Sequence, residues 1–157
     1  MDGAVVPVSE PTYELDVRPR KTARFAIGIA ILLVAFHTLC AVLLRMSDTG
    51  VYFRTNDQFA MVGLGLLLGG GVLLLARPRL RVGASGVRVR NAFSEKELPW
   101  SDVLGVSFPD GAAWARIELD DDEYIPVLAI QSNDREYAVD AVQRFRKLGQ
   151  KYTAAPH

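Results

Sequence analysis

The chain has 157 residues, which leaves room for one ordinary domain and one smaller element. Its 18 basic and 18 acidic side chains cancel, and half of its residues are hydrophobic. No nucleic-acid partner is expected, and the uneven placing of the charges along the chain is more informative than their sum. The single cysteine, Cys40, excludes an intramolecular disulfide and a zinc site built from cysteines.

An acidic stretch followed by a basic one forms an N-terminal tail, residues 1–23. Its first 17 residues contain four acids, two prolines and no base, a composition typical of a segment without fixed structure. Such a tail can lie against a basic surface or reach a partner. The basic cluster of residues 18–24 then precedes the first apolar run.

Two uncharged apolar runs, residues 25–44 and 59–76, lie within a predicted hairpin of residues 24–76. A helix of twenty residues rises about 30 Å, the thickness of the hydrocarbon core, and the second run lies at the short end of the spanning range. Because unpaired backbone groups are costly in lipid, both runs are predicted to be transmembrane helices.

Basic residues flank the hairpin at both ends, while its connecting loop carries two arginines and two aspartates. The positive-inside rule therefore places the loop outside and both termini in the cytoplasm. The sequence predicts a plasma-membrane protein with two spans. The flanking cations are Arg18, Arg20, Lys21 and Arg24 before the first run, and Arg77, Arg79 and Arg81 after the second.

Two features inside the runs are candidates for function. Small residues one helical turn apart allow close backbone approach, so the glycine face of the second run packs either on the first helix or on another membrane protein. His37 is an ionisable residue near the middle of the bilayer and is a functional candidate for that reason, although no second ligand or carboxylate accompanies it. The candidate docking glycines are Gly63, Gly65, Gly69 and Gly70.

After residue 76 the hydrophobic period changes to two, which predicts a cytoplasmic, mostly β domain over residues 77–151 and a short tail over 152–157. The runs 80–82 and 87–90 make a hairpin around the turn 83–86, and further strands are predicted at 97–100, 103–108, 113–119 and 124–130. Trp100 and Trp114 are expected to pack in the core.

The period returns to 3.6 between residue 134 and about residue 151, which predicts an amphipathic C-terminal helix. Asp134 is the expected N-cap. The buried stripe should plug an open face of the sheets, and it consists of Ala138, Ala141, Val142, Phe145 and Leu148.

A known family shows these motifs in the same order: Leu80-Arg-Val, Gly86-Val-Arg-Val-Arg, Leu98-Pro-Trp-Ser-Asp-Val103 and Val106-Ser-Phe108, followed by Ala113–Leu119 and Ile125–Leu128. Residues 77–147 resemble the bacterial pleckstrin-homology-like (PH-like) domain of actinobacterial membrane proteins of the low-molecular-weight protein antigen 6 type. The resemblance implies a barrel of about seven antiparallel strands closed by a C-terminal helix. It brings no established enzyme activity and no catalytic residues.

The arginines of the first predicted hairpin are the candidate lipid-contact residues. Crowded like charges need an anion or acidic side chains, and an anionic lipid headgroup would supply the former. Topology alone also demands arginines here, and the domain's own acids are alternative partners. The turn 83–86, which we take as the first hairpin loop that binds phosphoinositides in eukaryotic PH domains, has no basic residue. The four arginines are Arg79, Arg81, Arg88 and Arg90.

No enzyme motif is apparent, since the two histidines are His37 and the C-terminal His157, and no phosphate-binding or dinucleotide fingerprint occurs. The acidic turn Asp120–Glu123 lacks the ligand spacing of a calcium loop. We therefore expect no catalytic residues, cofactor or metal. The sequence favours an accessory or scaffold subunit in contact with the bilayer and other integral membrane proteins. An anionic-lipid sensor at the inner leaflet is the alternative.

Overall fold

The computed structural model describes residues 12–46 and 54–154. Two long apolar helices pair with each other, α1 (Arg20–Met46) and α2 (Thr55–Leu73), and a short 3-10 turn, Leu74–Ala76, extends the second. Both are long and apolar enough to cross a membrane. The predicted helices 25–44 and 59–76 are confirmed, and most of the predicted loop between them lies outside the described residues.

Within the described residues, seven antiparallel strands form two sheets, and one further helix follows them. The first sheet has the order β1-β2-β3-β4 and the second the order β5-β6-β7. This confirms the predicted fold class. The elements are β1 (Tyr13–Val17), β2 (Arg79–Gly83), β3 (Gly86–Arg90), β4 (Glu95–Leu98), β5 (Gly105–Ser107), β6 (Trp114–Glu118), β7 (Tyr124–Gln131) and α3 (Glu136–Thr153).

Strand β1 comes from the N-terminal segment, and the expectation that residues 1–17 lack fixed structure is wrong for residues 13–17. This strand pairs antiparallel with β2, Val17 lying opposite Leu80. Tyr13, Leu15 and Val17 alternate with acidic residues, and Leu15 and Val17 are buried in the core. The β domain therefore starts before the helical hairpin, not after it.

The helical hairpin is consequently an insertion between two neighbouring strands. Residues 18–19 join β1 to α1, and residues 77–78 join the 3-10 turn to β2. Pro19 and Pro78, one in each connection, are fully buried. Proline fixes its own φ, so these two short connections leave the helices little freedom relative to the sheet.

The helices leave the domain at one end, here called the helix-proximal end. Strand β2 starts there and runs away from it, so the β3–β4 turn returns to this end and the β2–β3 turn lies at the opposite one. In that distal turn Gly86 has φ +128°, and an added Cβ would lie 2.2 Å from the carbonyl oxygen of Leu98. Only glycine fits this position without strain.

The core lies between the two sheets and α3. Alternate residues of β2, β3, β6 and β7 are buried in it, and Phe145 of α3 is among the largest fully buried side chains. The predicted stripe of α3 is confirmed, with Leu148 partly buried at its end. Burying a side chain of this kind stabilises the fold by about 1.5–3 kcal/mol.

The two tryptophans differ in their surroundings. Trp100 packs against Phe145 and Tyr152, and its Nε1 donates a hydrogen bond of 2.9 Å to the Gly83 carbonyl oxygen. Trp114 is 45% exposed. The prediction of core packing is therefore right for Trp100 and wrong for Trp114, because Trp114 lies on the outward side of β6.

Candidate functional site

The four candidate arginines lie side by side on the outer surface of β2 and β3. Arg79 is the register partner of Arg90, and Arg81 is that of Arg88. The alternation seen in the sequence thus places all four guanidinium groups on one face, as we expected from the predicted hairpin. We call this surface the arginine face.

Acidic residues of both neighbouring strands neutralise most of the arginine face. The Nε of Arg79 donates a hydrogen bond of 2.7 Å to Asp16 of β1. On the other side Arg88 forms an ion pair with Glu97, and Glu95 lies 3.8–3.9 Å from the Nε atoms of Arg88 and Arg90. The domain itself thus supplies counter-charges for three of the four arginines.

The pairing with β1 changes the titration of one carboxyl group. The hydrogen bond from Arg79 holds the pKa of Asp16 below its usual value, against a smaller opposing effect of burial. The same bond raises the pKa of Arg79. Residues 13–17 of the N-terminal segment therefore lie against the arginine face, which is one of the two roles that we expected for the tail.

The arginine face offers little room for a headgroup. The space among the four guanidinium groups and Glu95 amounts to about 10 Å³, barely enough for one water molecule. The Nε atoms of Arg88 and Arg90 are buried there without hydrogen-bond partners among the described residues. Arg81 stacks near the Tyr13 ring, 5.4 Å from its centroid. Lipid contact at this face stays a prediction that requires side-chain movement.

Strand β1 changes which connection is the first loop of the domain. With β1 at residues 13–17, the connection after the first strand is the helical hairpin, and the turn 83–86 follows the second strand. Our assignment of 83–86 as the first hairpin loop is wrong. The connection that corresponds to the headgroup-binding loop of the resemblance holds the two apolar helices.

A buried carboxylate joins the β domain to α1. Asp134 is only 7% exposed, and its two oxygens accept hydrogen bonds of 3.0 and 3.1 Å from the backbone N–H groups of Arg20 and Lys21. These groups belong to the first turn of α1, whose N–H groups have no partners within the helix. Asp134 therefore caps α1 across 114 positions of sequence.

The prediction that Asp134 caps the C-terminal helix is wrong. The residue before α3 is Arg135, which has φ 44° and ψ −114° and forms no side-chain cap. A positive φ is unfavourable for an arginine, and such strain persists where surrounding contacts fix the chain. The contacts of Asp134 with α1 are contacts of this kind.

Further side chains complete this helix–domain junction. The guanidinium of Arg20 lies over the Tyr137 ring at 3.9 Å from its centroid. The Lys21 ammonium contacts the Asn133 carbonyl oxygen, and the Thr22 hydroxyl contacts the Gln131 side chain. Residues of the β7–α3 turn thus contact the first turn of α1 at several points. These contacts fix the orientation of α1 relative to the domain.

Basic residues also lie around the junction, and the charge of one of them, Arg18, helps to lower the pKa of Asp16. Among the described residues, no ion pair is formed by Arg18, Arg24 or Arg77, and all three are exposed. Arg77 donates one hydrogen bond of 3.3 Å to the Ala92 carbonyl oxygen. Each of these cations can still engage an external anion.

The structure divides the four candidate glycines into two pairs. Gly65 and Gly69 are buried against α1, where an added Cβ on Gly65 would lie 2.8 Å from the Cβ of His37. Gly63 and Gly70 have nothing within 4 Å of such a Cβ. Packing on the chain's own first helix therefore uses Gly65 and Gly69, and leaves the other two on an open surface.

His37 lies in the contact between the two helices. Its Nδ1 is 2.7 Å from the carbonyl oxygen of Leu33, one turn earlier, and its ring meets that of Phe36 edge-on. No group of three or more His, Cys, Asp and Glu side chains suited to a metal ion occurs in residues 12–46 and 54–154. The geometry gives His37 a packing role beside Gly65.

Comparisons with known proteins agree with this architecture. The family model described as "Bacterial PH domain" matches residues 77–148, which leaves β1 and the helices outside the match. Uncharacterised proteins of Mycobacterium tuberculosis and Mycobacterium bovis are 49% identical over 140 residues, covering 89% of this chain and 91% of each relative. No solved structure gives a significant match. The chain therefore belongs to the bacterial PH domain family and is an actinobacterial type of PH-like protein, with a helical hairpin inserted after its first strand.

Proposed function

We propose that this protein is a non-enzymatic accessory or scaffold subunit of a larger plasma-membrane complex, anchored by two transmembrane helices with both termini in the cytoplasm. Both helices expose many large apolar side chains, and only 11% of the residues in the most apolar stretch of each are buried. Such a surface requires lipid or other membrane helices around it.

The observation that carries the accessory role is the open glycine pair of α2. Gly63 and Gly70 are seven residues apart, so they lie on the same side of the helix. The pairing of α1 with α2 does not use them, although small residues of this kind are what membrane helices use for close association. A helix of another integral membrane protein is the partner that fits this surface.

Enlarging the open glycines tests the accessory role. Gentle detergent extraction of the native membrane, followed by native mass spectrometry, should yield the chain in a complex. The variant with Gly63→Ile and Gly70→Ile should lose that complex, whereas Leu68→Ile, an exposed position elsewhere on α2, should keep it. A lone monomer at every expression level, or a complex that both variants retain, would contradict the proposal.

The cations of the helix–domain junction favour a second candidate function, an anionic-lipid sensor. Arg18, Arg24 and Arg77 form no ion pair among the described residues and lie next to the helix ends. Each basic residue near an anionic surface contributes about 1 kcal/mol of attraction, which salt screens. The test requires the whole chain, because a fragment starting at residue 77 would lack strand β1. If the binding of the chain to anionic lipid changed neither with salt concentration nor with substitution of these arginines, this function would be excluded.

A further inference from the structure

We propose that the helix-proximal end of the domain is a membrane-contact rim, in which Phe93 and Trp114 enter the interfacial layer while Arg18, Arg24 and Arg77 bind lipid phosphates. The inference rests on the proposed membrane anchoring and adds to it a third point of attachment. The partner is the anionic surface of the leaflet that the helices enter.

Phe93 is the most exposed large apolar side chain among the described residues, at 86%. It lies in the turn between β3 and β4, a short connection that the hydrogen bond from Asn91 N–H to the Ser94 carbonyl oxygen closes. Nothing in the fold of the domain requires a phenylalanine in a solvent-facing turn. Its exposure therefore needs an explanation outside the domain.

The position of Phe93 is fixed relative to α2. The residue before it, Ala92, is buried, and its carbonyl oxygen accepts the hydrogen bond from Arg77. Arg77 directly follows the 3-10 turn that ends the second apolar helix. Phe93 thus projects from the domain beside the point at which the chain leaves the membrane.

Trp114 holds the corresponding position beside α1. It is the register partner of Gln131, whose side chain contacts Thr22 in the first turn of α1. Thr22 precedes Phe25, the first residue of the uncharged run, by three residues, an axial rise of about 4.5 Å. Trp114 is therefore close to the level at which the apolar part of α1 begins.

This level matches the interfacial layer of a bilayer. The polar region adds about 5–8 Å on each side of the hydrocarbon core, and aromatic residues concentrate within it. Two exposed aromatics beside the two helix ends, together with three arginines that form no ion pair among the described residues, have the composition of a membrane-surface contact. The arginine face, by contrast, has its own carboxylates.

The exposed residues at the other end of the second sheet offer an internal comparison. Tyr124 is 58% exposed, but it pairs with Glu118 at the far end of the β6–β7 hairpin from Trp114. Its ring lies beside the guanidinium of Arg116, 5.1 Å from it. The rim is thus defined by its end of the fold and not by exposure alone.

The two native tryptophans provide the test, since Trp114 lies at the rim and Trp100 bonds to Gly83 at the distal end. The full chain is reconstituted in phosphatidylglycerol vesicles whose acyl chains carry bromine near the headgroup. In Trp100→Phe, the emission of Trp114 should fall about twofold relative to vesicles without bromine, as expected for an interfacial aromatic. In Trp114→Phe, the emission of Trp100 should not change.

The other possible results distinguish failure of the membrane-contact rim from failure of the membrane anchoring. Equal quenching of the two variants, or quenching of neither, would overturn the rim if the chain still resists extraction by alkaline carbonate. Extraction by carbonate would instead contradict the membrane anchoring. If Trp100→Phe fails to fold, the wild-type chain can replace it in the test. Bromine should then quench the tryptophan emission of the wild-type chain and not that of Trp114→Phe.

The cationic part of the rim is tested separately. In the same vesicles Arg24→Gln combined with Arg77→Gln should reduce the quenching of Trp114, whereas Lys147→Gln should leave it unchanged. Lys147 is an exposed cation on α3, eleven residues beyond the start of that helix, and so about 16 Å further along it. Quenching unaffected by the double substitution would remove phosphate binding from the proposal.

Discussion

Removing the Asp134 carboxylate should loosen the attachment of the β domain to α1. The two hydrogen bonds to the N–H groups of Arg20 and Lys21 are charge-assisted, at 3.0 and 3.1 Å, and the carboxylate is 7% exposed. Loss of an N-cap side chain costs about 0.5–2 kcal/mol, and hydrogen bonds to charged groups contribute about 1.5–3 kcal/mol. We expect Asp134→Ala to lower the free energy of unfolding of the domain by about 2 kcal/mol.

Thermal unfolding in detergent, followed by tryptophan emission, measures this effect because both tryptophans belong to the domain. A loss of about 2 kcal/mol corresponds to a Tm about 10 °C lower for a domain of this size. Asp134→Asn keeps one acceptor oxygen and should lose about half as much. The matched control is Asp140→Ala, which removes an exposed ion pair with Arg144 one turn along α3, worth about 0.3–0.5 kcal/mol.

Amide hydrogen exchange separates the capping role from a general loss of stability. Asp134→Ala should speed exchange at Arg20 and Lys21, where the acceptor is lost, more than at α3. Equal melting of Asp134→Ala and Asp140→Ala, with unchanged exchange at Arg20 and Lys21, would refute the assignment of Asp134 as the cap of α1.

Two further predictions concern the helix pair and the β1–β2 contact. Gly65→Ala should destabilise the pairing of the helices by about 1–3 kcal/mol, because its Cβ would lie 2.8 Å from that of His37. Gly63→Ala should not destabilise the pairing, because the space around Gly63 is open. Thermal unfolding, followed by the circular dichroism of the helices, compares the two variants. Asp16→Asn should cost less than about 1 kcal/mol, since the carboxylate is 40% exposed. Because Arg79 lowers the pKa of Asp16, the contribution is present above the ordinary value of 3.8 and is lost as pH falls through the lower folded value. Urea unfolding from pH 7 to pH 2.5 measures this contribution to the free energy of unfolding. If the free energy of unfolding of wild type and that of Asp16→Asn differed more as the pH fell, the predicted pH dependence would be wrong.

Much of the fold follows from residue patterns that local chemistry imposes. The alternation of Leu80 and Val82 with arginines requires a strand with one buried face, and the same holds for Val87 and Val89. The length and lack of charge of residues 25–44 and 59–76 predicted the helices. The register that groups the four arginines followed from the turn between Gly83 and Gly86.

Strand β1 was missed although its signal is present. Tyr13, Leu15 and Val17 alternate with Glu14 and Asp16, the same period-two pattern that identified the other strands. The acidic composition of the whole tail obscured this short segment. The position of these residues before the hairpin also hid their partner, because β1 pairs with a strand more than sixty residues later.

The helix–domain junction was beyond sequence reasoning for a different reason. Asp134 followed by a helical pattern is a normal N-cap signal, and nothing local shows that the carboxylate turns to another helix. Which glycines of α2 meet α1 depends likewise on the rotation of one helix about its axis relative to the other. Both features come from long-range packing, and the propensities of neighbouring residues do not determine such packing.

The central claim is that the helical hairpin is inserted within one sheet, so that the segment before α1 and the domain after α2 share one side of the membrane. Reporter fusions test it most directly, with green fluorescent protein and alkaline phosphatase fused in turn to each terminus and inserted in the loop between the helices. The account predicts fluorescence without phosphatase activity at both termini, and phosphatase activity in the loop. Termini on opposite sides of the membrane would contradict it, because β1 could then not pair with β2.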